Sequence, residues 1–219
     1  MKLESGQTIL LTGDSGCGKS TILRFLRDGD LGNRRQIIVN GSEAVDKLGT
    51  DIVTFCEAKM NLHSQNIVEA ITGKKRWSEV SREEKANLKE IFYDLGFLNG
   101  DREQNREFIR KCEYKDYDQF STGQQKRLEL AKALSEINDN SQVVLLDETV
   151  SNIQKDLGES AFRLIDKYTK KGKPKIVVMV SHDIESASKF ADKRYHINKD
   201  KTMVEVPLRR KETAEGPEI

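Results

Sequence analysis

At 219 residues, with 36% hydrophobic and 33% charged residues, the chain is long enough for one large domain or two small lobes and is polar for its length. Thirty-seven Lys and Arg against 36 Asp and Glu leave a formal net charge of +1, so no global basic field argues for nucleic acid as a partner. No apolar run approaches the roughly 20 residues of a membrane helix, the start MKLESGQ lacks the apolar stretch of a secretory signal, and three scattered cysteines (Cys17, Cys56, Cys112) suit a reducing cytosol better than a disulfide framework.

In chain order, TILLT (Thr8–Thr12) reads as a buried strand that runs into a glycine-rich turn and then a helix from about Lys19 to Arg27. QIIVN and DIVTFC follow as two more strands. From about Leu62 to Phe120 the chain turns polar and helical. There Leu88, Ile91, Phe92 and Leu95 fall at i, i+3, i+4, i+7, an amphipathic stripe that Gly96 and Gly100 interrupt. A helix carrying Leu128, Ala131 and Leu134 leads to the strand VVLLD. A helix with Leu157, Ala161, Leu164, Ile165 and Tyr168 on one face comes next, then the strand KIVVMVS and short RYHI and MVEV strands. This alternation predicts an α/β fold with a mostly parallel sheet. The expected division is a core of residues 1–61 and 121–208, an inserted helical lobe of 62–120, and a disordered tail of 209–219, RRKETAEGPEI.

Four segments carry chemistry. Gly13-Asp14-Ser15-Gly16-Cys17-Gly18-Lys19-Ser20 fits GxxxxGK[ST] between a strand and a helix, the pattern of a phosphate loop. Its glycines let backbone N–H groups turn towards phosphate oxygens, and the helix that continues through Thr21 presents its N-terminus to them. Lys19 is placed for the β- and γ-phosphates and Ser20 for Mg²⁺, while Cys17 reads as a small spacer. Val143–Leu146 is an apolar strand ending in Asp147, suited to Mg²⁺, and Glu148, placed to polarise an attacking water. Phe120-Ser121-Thr122-Gly123-Gln124 opens a helix, either as a second anion site or as an ordinary cap. Ser181-His182-Asp183 follows the strand KIVVMVS. His63 and His196 match no motif.

In this order and spacing, GDSGCGKST, FSTGQ, VVLLDE and SHD resemble the ATP-binding cassette (ABC) ATPases over most of the chain. The resemblance implies a phosphate-loop NTPase core with an inserted helical subdomain that bears the signature, here FSTGQ in place of LSGGQ. It implies ATP and Mg²⁺ as cofactors, with Gly13 through Thr21, Ser121, Gly123 and Gln124 on the nucleotide. It implies Ser20, Asp147 and Glu57 at the metal, Glu57 standing where the family has glutamine, with Gln65 as a less apt substitute. Glu148 and His182 would be catalytic. Two cassettes would close head-to-tail over two ATPs and drive a transmembrane domain, separate or fused, from the cytoplasmic side of a membrane. The stretch FCEAKMNLHSQNIVEAI is similar to export-type cassettes.

Departures from the family pattern also have content. Glu57 brings a like charge towards the γ-phosphate, which implies slow hydrolysis in the isolated chain. Thr122 replaces a signature glycine. Ser151-Asn152-Ile153-Gln154 ends in an amide where the family has aspartate. None of the twelve residues before Gly13 is aromatic, so either the adenine pocket is abbreviated or the chain is a fragment. Two other uses remain open: a soluble non-transport cassette ATPase of DNA repair or translation, and a weakly active nucleotide sensor.

Overall fold

The computed structural model describes residues 3–28, 37–39, 42–44, 52–56, 66–148 and 155–208. Strands β1 (Thr8–Gly13), β4 (Val53–Cys56), β5 (Val143–Asp147), β6 (Ile176–Val180), β7 (Lys193–Ile197) and β8 (Met203–Val206) form a sheet in the order β4-β5-β6-β1-β7-β8. All neighbours are parallel except β7 and β8, which close the edge as an antiparallel hairpin. The strand expected at QIIVN is β2 (Ile37–Val39). It lies outside this sheet, paired antiparallel with β3 (Ser42–Ala44), which the sequence pattern did not reveal.

The middle strands are apolar throughout because both faces of the sheet are covered. The two-residue period then sorts their side chains. Ile9 and Leu11 of β1, Val143 and Leu145 of β5 and Val178 of β6 face α1 (Lys19–Asp28), whose Leu23 and Leu26 fill that side. Leu10, Val144, Leu146, Val177 and Met179 face the other way, into a cluster that continues through α5 (Thr122–Glu136) and α6 (Lys155–Lys170).

That second cluster extends without a break into the helical middle of the chain, α2 (Ile67–Thr72), α3 (Arg82–Asp94) and α4 (Arg102–Tyr114). The expected stripe is buried: Leu88, Ile91 and Phe92 on α3, with Leu95 as its C-cap. Phe92 meets Phe97 and Phe108 edge-on at 6.0 and 5.2 Å, and Phe97 stacks on Phe108 at 4.7 Å. Gly96, at φ 72, ends the helix; Gly100 lies in the following loop. A charged network ties α3 to α6. Lys167 Nζ lies 2.6 Å from Asp94 and 3.2 Å from Glu90, Lys171 Nζ lies 3.1 Å from Glu90, and the Tyr168 hydroxyl donates to Asp94 at 3.1 Å. The α5 and α6 helices therefore carry the helical middle onto the sheet. Glu57, Gln65, His63, Ser151–Gln154 and the tail 209–219 lie outside the described residues.

Candidate functional site

Parallel sheets of this kind place ligands at the carboxyl ends of their strands, and the sequence motifs gather there. β1 ends at Gly13, where a Cβ would lie 2.7 Å from both Cys17 Sγ and the Ile197 carbonyl oxygen, so only glycine lets the chain turn. The loop then doubles back, with Cys17 N donating to Asp14 O at 3.2 Å, and α1 begins at Lys19. Lys19 is 8% exposed. Its Nζ donates to Gly13 O at 2.8 Å and to Asp14 O at 3.0 Å, so a cation stands beneath the loop.

Ser20, one residue into α1, donates its hydroxyl to Asp147 Oδ1 at 3.1 Å, joining groups 127 residues apart in sequence. A hydroxyl beside a carboxylate is a hard oxygen pair of the kind that holds Mg²⁺ together with phosphate oxygens. Among the described residues no group of three or more His, Cys, Asp and Glu could hold a metal alone. Two hard oxygens leave most positions around such a cation open to phosphate oxygens and water.

Glu148 follows β5 at φ 52, a left-handed backbone that costs a non-glycine residue on the order of 1–2 kcal/mol. Its N–H donates to Val180 O at 3.1 Å, which fixes the bend against the end of β6. The carboxylate consequently sits 2.8 Å from His182 Nε2. Asp183 caps the short helix α7 (Ile184–Ser188) by accepting from Ser186 N at 3.0 Å, which orients the segment bearing His182. Strain held by neighbouring structure at a strand end is a recurrent feature of reactive sites.

Ser121, Thr122 and Gly123 stand exposed at the start of α5. Ser121 and Gln124 form a reciprocal cap: Gln124 N donates to Ser121 Oγ at 3.3 Å and Ser121 N donates to Gln124 Oε1 at 3.0 Å. A Cβ on Gly123 would meet nothing within 4 Å, and its φ is an ordinary helical one. Nothing in the packing of the described residues calls for glycine there, although glycine in a helix costs on the order of 1 kcal/mol relative to alanine.

A family model described as ABC transporter matches residues 1–151. The chain belongs to this family. A phosphonates import ATP-binding protein of Lactococcus lactis is 26% identical to this cassette over 215 residues, covering 94% of this chain and 84% of the relative. An uncharacterized ABC transporter ATP-binding protein of Methanocaldococcus jannaschii is 24% identical over 219 residues, covering 95% and 87%. A solved dimeric structure of that archaeal cassette, in a post-hydrolysis state bound to ADP and Pi, matches the fold with a TM-score of 0.71 at 22% identity. It covers 96% of this chain and 89% of that one.

Other cassette residues had no motif to announce them. His196 Nδ1 lies 3.2 Å from Thr12 Oγ1, to which Arg194 Nε also donates at 3.3 Å; both props sit under the end of β1. Lys201 Nζ donates to Gly16 O within the phosphate loop at 3.1 Å. Only the register of β7 against β1 brings these residues to the site. Cys56 and Cys112 are buried, and burial pushes both thiols well above the usual cysteine range, which makes them packing groups.

Proposed function

We propose that the gathered residues bind MgATP and split it, and that two copies of the cassette do so together while driving a membrane-spanning partner. The observation that carries this reading is the Ser20–Asp147 contact at 3.1 Å, because it joins the phosphate loop to the acidic strand end through groups suited to one metal ion. Loop N–H groups and the Lys19 ammonium hold the β- and γ-phosphates. Ser20 and Asp147 would hold Mg²⁺, which would supply charge neutralisation on the phosphates. Glu148 takes a proton from water as the water oxygen bonds to the γ-phosphorus and the bond to ADP breaks. His182, bonded through Nε2 to Glu148, holds the base on the phosphate side. Glu57, outside the described residues, stays a candidate metal contact.

The exposed Ser121 and Gly123, with open space where a Gly123 Cβ would stand, suit the approach of a second cassette's nucleotide, and the dimeric archaeal structure supports such a pairing. Relatives named as import proteins for phosphonates, nickel and spermidine/putrescine support a transport role at the cytoplasmic face of a membrane. Their names favour import over the export-type likeness of FCEAKMNLHSQNIVEAI, much of which lies outside the described residues. No described helix is long and apolar enough to cross a membrane.

Phosphate release by the purified chain, across a Mg²⁺ series, tests the reading. His182→Ala should lower the rate about 30- to 150-fold, the loss of one charge-assisted hydrogen bond of about 2–3 kcal/mol. An unaltered rate would remove His182 from the site.

A further inference from the structure

The phosphate loop has a second lysine, supplied from the far end of the chain. β7 runs beside β1 in parallel register, with Ile197 opposite Gly13. The turn after Ile197 therefore starts level with the loop after Gly13. Asp147, Glu148 and His182 come from the ends of β5 and β6, on the other side of β1. The β7–β8 turn is thus the opposite flank of one ligand-bearing sheet edge.

That turn is held unusually firmly. Asn198 N donates to Thr202 O at 2.9 Å, and Lys201 N donates to Asn198 O at 3.0 Å. Asn198 Nδ2 donates to Thr202 Oγ1 at 2.9 Å, while the Thr202 N–H and hydroxyl both donate to Asp200 Oδ1. Together these bonds keep Lys201 at φ 69, a conformation that hairpin turns normally give to glycine or asparagine. From this strained backbone the Lys201 ammonium reaches 185 residues back along the sequence to the Gly16 carbonyl, at 3.1 Å. Lys19 holds the Gly13 and Asp14 carbonyls of the same loop. Lys201 is exposed, as Lys199 is, but its 3.1 Å bond is well within hydrogen-bond range, whereas Lys199 stands 3.9 Å from the exposed Asp14 Oδ2.

We propose that Lys201 is a positioning residue of the nucleotide site. It acts through Gly16. Because the peptide is planar, holding the Gly16 carbonyl also holds the Cys17 N–H that donates to Asp14 O, and so braces the turn of the loop. It also places a positive charge on the flank of β1 away from Glu148. A hold of this kind grips phosphates and is indifferent to the base. The inference rests on the nucleotide-binding reading above. It adds to that reading a residue that tightens ATP and GTP equally, at the expense of local stability.

Three forms of the full chain test it: wild type, Lys201→Gly and Lys201→Arg. Each is titrated with fluorescent ATP and GTP analogues in Mg²⁺ and melted in parallel. Glycine relieves the φ 69 strain, so Lys201→Gly should melt about 2–4 °C higher. It should nevertheless bind both nucleotides about fivefold more weakly, and Lys201→Arg should bind within about twofold of wild type. Higher stability with weaker binding is an outcome that a merely structural lysine does not give. Wild-type affinity in Lys201→Gly overturns the proposal. So does a lower melting temperature alongside weaker binding, or a loss confined to one of the two nucleotides. If wild type binds neither nucleotide, the nucleotide-binding reading itself fails, and the proposal fails with it.

Discussion

Lys19→Ala should lower MgATP affinity about a thousandfold while leaving the fold in place. Lys19 is nearly buried and its Nζ lies beneath the loop, within 3.0 Å of two of its carbonyls. At an effective dielectric of about 20, a unit charge about 4 Å from a phosphate charge is worth on the order of 4 kcal/mol, which corresponds to roughly three decades in affinity. The loop N–H groups survive the substitution, so residual weak binding is expected. Titration with a fluorescent ATP analogue gives the affinity, and far-UV circular dichroism shows that the sheet and helices remain. Unchanged affinity would remove the phosphate-loop assignment.

Glu148→Gln should have a comparably large effect on turnover and little on binding. Glutamine keeps the shape of the side chain and can still accept a hydrogen bond from His182, 2.8 Å away. The backbone strain at φ 52 is the same for both residues. What is lost is the proton acceptor. Removing a positioned general base typically costs 10²–10⁴ in rate, so phosphate release should fall about a thousandfold at saturating MgATP. ATP then persists on the protein, and a nucleotide-bound dimer should accumulate on size-exclusion chromatography. A Glu148→Gln chain that turns over as fast as wild type would assign the base elsewhere.

How legible these features were in the sequence follows from how local their causes are. The phosphate loop is written in consecutive residues, because only glycine fits at Gly13 and because strand, turn and helix succeed one another without a gap. Likewise β5 and β6 declare themselves as continuous apolar runs, VVLL and IVVMV, since both their faces are buried. The stripe of Leu88, Ile91 and Phe92 was readable for the same reason: one helix, one period, one buried face. Features set by distant pairing were not readable. The antiparallel turn of β8 against β7, the β3 partner of Ile37–Val39, and the reach of Lys201 to Gly16 depend on register across long separations. His196 looked inert because its role, a contact with Thr12, belongs to β7 lying beside β1. The signature was legible as a helix start. Its exposed glycine becomes informative only once the space where a Cβ would stand is found open among the described residues.

Dependence of the per-chain phosphate-release rate on protein concentration tests the central claim most directly. If Ser121 and Gly123 complete a second copy's nucleotide site, each chain is a poor ATPase alone. The rate per chain at saturating MgATP should then rise with concentration in its low range and level off as dimers fill. A per-chain rate that is appreciable and constant from nanomolar to high micromolar protein would contradict the two-chain site. No Mg²⁺-dependent release at any concentration would contradict the hydrolytic reading altogether.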